Sequence, residues 1–75
     1  MTSVVADEDI KAEYPHIVRR PGVVGGRPRI VGTRIAVWQI ANRWNMGESI
    51  ADMLETYPHI TPAALHSALA FYWDH

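Results

Sequence analysis

The sequence predicts a mainly α domain, a unit of three short helices preceded by a short basic β-hairpin arm. Three observations carry this. After Ile35, apolar residues recur three times at the spacing of one helix face. Each of those runs is bracketed by residues that start or stop helices. The segment before them is β-branched and broken by proline and glycine, the chemistry of short strands and turns.

Taken in order, residues 1–13 have no hydrophobic period and are mostly small or charged, which predicts a mobile tail outside the fold. Residues 14–34 form the arm. His16 to Arg20 and Arg27 to Val31 are its extended segments, with Pro21 to Gly26 as the turn. Pro28 has no N–H to give a ladder, so the second strand should be an edge. Residues 35–75 form the helical unit. Val37, Ile40, Ala41 and Trp44 make the first stripe, and Gly47 stops a helix expected over about Ala36 to Met46. Ser49 with Asp52 three residues on resembles a capping box, and Ile50, Met53, Leu54 and Tyr57 make the second stripe before Pro58. Thr61 caps the third start and Pro62 takes its first helical position, where a missing N–H costs nothing. Leu65, Ala68, Leu69 and Tyr72 are its expected core stripe, in a helix running to about Asp74. The four-residue turn Pro58 to Thr61 gives the last two helices a helix-turn-helix outline.

A chain of 75 residues buries a small fraction of its unfolded surface. It has no cysteine for a disulfide or a thiolate zinc site. A partner chain is the staple that remains, so a homodimer or higher homo-oligomer is expected. No apolar run approaches a membrane span, and the first residues are polar and acidic, so a cytoplasmic location is expected.

The net charge of −1 hides an uneven distribution. Asp7, Glu8, Asp9 and Glu13 outweigh Lys11. Between Tyr14 and Gly47 there is no acid, while Arg19, Arg20, Arg27, Arg29, Arg34 and Arg43 all fall there. Glu48, Asp52, Glu55 and Asp74 make the end acidic again. A cationic block of this kind points to a polyanion or an acidic partner.

Catalysis is not expected. The glycines fit neither the P-loop nor the dinucleotide spacing, and Ser49 and Ser67 lack an elbow or a base. His16, His59, His66 and His75 include no pair one helical turn apart, so neither a metal site nor a cofactor is expected. Tyr-Pro-His-Ile occurs at Tyr14 and again at Tyr57, but the flanks do not correspond, which excludes an internal repeat.

Gly26-Arg27-Pro28 and Gly32-Thr33-Arg34-Ile35 followed by Val37-Trp38, with Gly47 and Tyr57-Pro58 beyond, resemble a bacterial family known as domain of unknown function 433. The resemblance covers about Ile17 to Asp74. It implies a homeodomain-like helix-turn-helix fold and a role as the antitoxin of a PIN-like ribonuclease toxin that also binds its own operator DNA. The sequence departs from the family at Ala36, where proline is frequent, and it ends at His75, where many members continue with a charged tail.

On this reading the DNA contacts come from Arg19, Arg20, Arg27, Arg29, Thr33, Arg34 and Arg43. Arg27 and Arg29 are two apart and share a face if extended. The third helix offers only His66 and Ser67 as polar readers of base edges, so it is poorly equipped for direct readout. Ala64, Ala70, Phe71 and Trp73 widen its apolar surface around most of its circumference, the mark of a helix covered on several sides. Phe71 and Trp73 are therefore expected in a partner interface. Trp38 lies off its helix's stripe, either at the core periphery or as an aromatic anchor for a partner. Two rival readings remain: an interaction module whose arginines mask an acidic toxin site without touching DNA, and an RNA-binding adaptor.

Overall fold

The computed structural model describes residues 9–75. They form, in order, strands β1 (Ile10–Lys11), β2 (Ile17–Arg19) and β3 (Arg29–Ile30), then helices α1 (Val37–Asn45), α2 (Ile50–Thr56) and α3 (Pro62–Asp74). The strands make one antiparallel sheet in the order β1-β2-β3, so Pro28 does precede an edge strand. Ile17 pairs with Ile30, and Val18 with Arg29.

The expected hairpin is present, but the tail boundary needs correction. Ile10 pairs with Arg19 and Lys11 with Val18, so the end of the segment expected to be a free tail is a third strand. Two-residue strands have no readable period, and an exposed Ile-Lys gives no hydrophobic signal. The rest of the expected tail, residues 1–8, lies outside the described residues.

Helix α1 starts one residue later than the spacing suggested. Ala36, where the family often has proline, is its N-cap, and its backbone N–H donates to Gln39 Oε1 at 2.8 Å. Proline has no hydrogen to give here, so alanine adds a bond that orders the first turn. At the other end Gly47 adopts φ +95°, the left-handed conformation that closes a helix cheaply only without a side chain. Ser49 accepts from the Asp52 N–H while Asp52 accepts from the Ser49 N–H, a complete capping box on α2. Thr61 Oγ1 accepts from the Ala64 N–H ahead of Pro62.

The core lies where α1, α3 and the inner face of the sheet meet. Ile17 and Ile30 supply the sheet side, Val37 and Ile40 come from α1, Met53 from α2, and Leu65, Ala68 and Leu69 from α3, all buried. Period two puts Ile17 and Ile30 on that face and turns Val18 and Arg29 to the other. The β1–β2 loop lies along α3. Pro15 O accepts from Ser67 Oγ, Tyr14 sits edge-on to Phe71 with centroids 5.3 Å apart, and the Tyr14 hydroxyl donates to the Asp74 carboxylate. Tyr72, expected in the core stripe, is instead 38 % exposed, because Phe71 takes the inward position. No helix among the described residues is long and apolar enough to cross a membrane.

Candidate functional site

Six arginines that sequence reasoning treated alike divide into two groups. Arg20, Arg29 and Arg43 are paired with the acids that flank the basic block. Asp9 Oδ1 accepts from Arg29 Nη2 at 2.8 Å and lies 3.1 Å from Arg20 Nε. Arg43 donates through Nη1 to Glu48 at 2.9 Å and through Nε to the Tyr57 hydroxyl at 3.0 Å. The Tyr57 bond, helped by Glu48, holds the Arg43 guanidinium pKa above its ordinary value, and the two contacts tie α1 to the end of α2.

Arg29 requires a correction. It was expected to present its charge beside Arg27, yet it is only 5 % exposed. Its guanidinium lies on the outer face of the sheet against Asp9, so in this conformation it is not available to a partner. Thr33 is likewise committed locally. Its hydroxyl donates to Ile30 O and accepts from the Ile35 N–H, fixing the loop between β3 and α1.

Arg19, Arg27 and Arg34 are exposed and form no ion pair among the described residues. Arg19 stands over the Phe71 ring and Arg27 over the Trp38 ring, each 5.9 Å from the centroid. Such contacts orient a guanidinium without neutralising it. Arg34 belongs to the Gly32 to Ile35 loop, which lines one side of a cleft of about 470 Å³. The other side is the turn between α2 and α3, from Thr56 to Ile60, so the cleft brings Arg34 and His59 together close to the start of α3. Sequence reasoning missed this juxtaposition, since 25 residues separate the two.

A second surface is aromatic. Trp38, Trp44, Tyr72 and Trp73 are all exposed, Trp73 at 58 % and Trp38 at 50 %. Trp44 and Trp73 meet edge to face at 5.8 Å, and Asn45 Nδ2 donates to the Tyr72 hydroxyl at 3.0 Å, so α1 and α3 hold these rings in fixed positions. Beside them, Arg27, Pro28, Val37, Trp38, Phe71 and Tyr72 line an apolar cleft of about 190 Å³. Phe71 was expected in a partner interface. At 7 % exposure it is a core residue, pinned between Tyr14 and the His75 ring stacked on it at 4.3 Å. Of the three rings expected at a partner interface, Trp38, which lies on this surface rather than in the core, and Trp73 are accessible.

Comparison with known proteins identifies the family. Residues 17–72 match the family described as "Protein of unknown function (DUF433)". The chain is 32 % identical over 53 residues to the uncharacterized protein y4eO of Sinorhizobium fredii, a match covering 71 % of this chain and 24 % of that protein. The chain thus spans about a quarter of the length of that relative. It is also similar to the crystal structure of a DUF433 member protein from Anabaena variabilis, with a TM-score of 0.77 and 35 % identity over 80 % of this chain and 59 % of that one.

Proposed function

Because the chain belongs to the DUF433 family, we propose that it is a DNA-binding antitoxin of helix-turn-helix, homeodomain-like type, which dimerises and neutralises a PIN-like ribonuclease toxin. The observation that carries the DNA-binding part is the cleft between the Gly32 to Ile35 loop and the α2–α3 turn. Arg34 stands there as an exposed cation close to the N-terminal end of α3, whose first turn leaves Pro62 and Ala63 exposed. Cationic side chains hold a duplex by its phosphates, and Arg34 is the group for that here, since Pro62 has no N–H and the Ala64 N–H already donates to Thr61. The exposed residues of α3 add little base-edge chemistry, so register on the backbone is the main contribution expected. The aromatic surface supplies the protein contacts. Rigid indole and phenol rings bury much area at small entropic cost, which suits them to anchor a second protein.

One observation favours the rival reading of a pure protein-interaction module. Half of the arginines are already paired with acids of this chain, and Arg27 borders the apolar cleft rather than the α2–α3 turn.

A salt series of fluorescence-anisotropy titrations, with duplex from upstream of the gene, separates the two. Each phosphate contact contributes a slope of about −0.9 in log affinity against log salt. Arg34→Ala should flatten the slope by about one such unit, and His66→Ala should leave it unchanged. Absence of duplex binding at low salt, with Arg27→Ala weakening inhibition of a PIN-like ribonuclease, would establish the interaction module instead.

A further inference from the structure

We propose that Arg20 and Arg29 form an oxyanion site for a nucleic-acid backbone phosphate, held shut in the free protein by Asp9 at the start of the N-terminal strand. The proposal rests on the DNA-binding reading and adds a second, gated contact to it.

The first argument is a mismatch between donors and acceptors. Asp9 offers one oxygen, Oδ1, to both arginines. Among the described residues, Arg29 Nε and Nη1 are buried without a hydrogen-bond partner, and the buried Arg20 Nε has only its ion pair with Asp9, with no hydrogen bond. Buried donors are nearly always satisfied, and a guanidinium left with two idle nitrogens at 5 % exposure is unusual. A phosphate presents tetrahedrally arranged oxygens, which can accept from several of these donors at once and match the fork of an arginine. The planar carboxylate of Asp9 occupies the place of that group and satisfies it in part.

The second argument is the weakness of the cover. Strand β1 has two residues, both exposed, and it pairs with β2 alone. Asp9, immediately before it, keeps 26 % of its side chain exposed. Peeling this segment back gives up two paired positions and takes Asp9 away from both guanidinium groups. The acid therefore acts as an internal competitor. Binding requires a polyanion dense enough to displace it, which raises the discrimination between duplex and isolated anions.

The test uses the full chain. Asp9→Asn removes the competitor. Ile10→Pro breaks the β1–β2 ladder at an exposed, uncharged position and leaves every charge in place. Glu55→Gln, on the exposed side of α2, controls for the change in net charge. Circular dichroism establishes that each is folded. Both Asp9→Asn and Ile10→Pro should bind duplex several-fold more tightly than wild type, with a salt slope steeper by about 0.9 to 1.8, one or two added phosphate contacts. Adding Arg20→Ala to Asp9→Asn should reverse the gain, and Glu55→Gln should match wild type. Wild-type binding that depends on Arg34, with unchanged slopes in both β1 variants, overturns the proposal and leaves the DNA-binding reading standing. Absence of duplex binding in every variant overturns both. Inorganic phosphate is the further arm: if it raises the melting temperature of Asp9→Asn above that in chloride of equal ionic strength while no variant binds duplex, the site belongs to free phosphate, not nucleic acid.

Discussion

Tyr14 shows how one side chain ties distant parts of the chain together. Its hydroxyl donates to the Asp74 carboxylate at the far end of α3, and its ring packs on Phe71. The bond to Asp74, with smaller contributions from desolvation and the charges of Asp74 and Glu13, pushes the phenol pKa from 10.0 up to about 12. A folded pKa above the unfolded value means that the stabilising effect is complete below pH 10 and lost as pH rises to about 12. An absorbance titration of the phenolate should show one tyrosine ionising near pH 12, and Tyr14→Phe should remove that step. The same variant should flatten the fall in melting temperature across that alkaline window. A Tyr14 that ionises at its ordinary value would mean that the Asp74 bond is not formed in solution.

Helix caps and core stripes operate at the next scale. Ser49 closes a reciprocal box with Asp52 on a helix of only seven residues, so Ser49→Ala should cost about 1 kcal/mol in urea denaturation. Leu65→Ala on α3 removes a fully buried side chain and should cost roughly 2–5 kcal/mol, most of what a domain of this size holds in reserve. These helices were legible because their signals are local. Ser49, Thr61, Pro62 and Gly47 act on backbone within a turn of themselves, and the spacing of Ile40, Leu65 and Leu69 depends on nothing beyond the helix. Strand β1 was not legible, since a two-residue strand exists only through its partner. The candidate site was half legible for the same reason. The arginine block was plain, but which of its members keep an open charge is decided by Asp9, Glu48 and Tyr57, and nothing in the sequence pairs those residues with Arg20, Arg29 or Arg43. Phe71 and Tyr72 illustrate a finer limit: neighbours on a helix differ by about 100° in direction, and which one turns inward is settled by Tyr14 and His75.

For the whole molecule, the aromatic surface of α1 and α3 is where the proposed partner would sit. Large apolar patches on small proteins mark interaction sites, and here Trp38, Tyr72 and Trp73 are accessible together. Light scattering at tens of micromolar should give a dimer or larger, and Trp73→Ser should shift it toward monomer while the melting curve stays cooperative. Phe71→Ser is no substitute for this test, because it opens the core. A monomer in the wild type would leave the surface to a different protein. The same feature makes the chain its own optical probe. None of its three tryptophans is buried within a single chain, so in a monomer their emission comes from water-facing rings and should change little on unfolding. Heating a monomer would thus be nearly invisible in fluorescence, whereas an assembly that covers Trp38 or Trp73 would emit further to the blue and shift to the red as it comes apart. An indole spectrum of this protein is a gauge of company rather than of order.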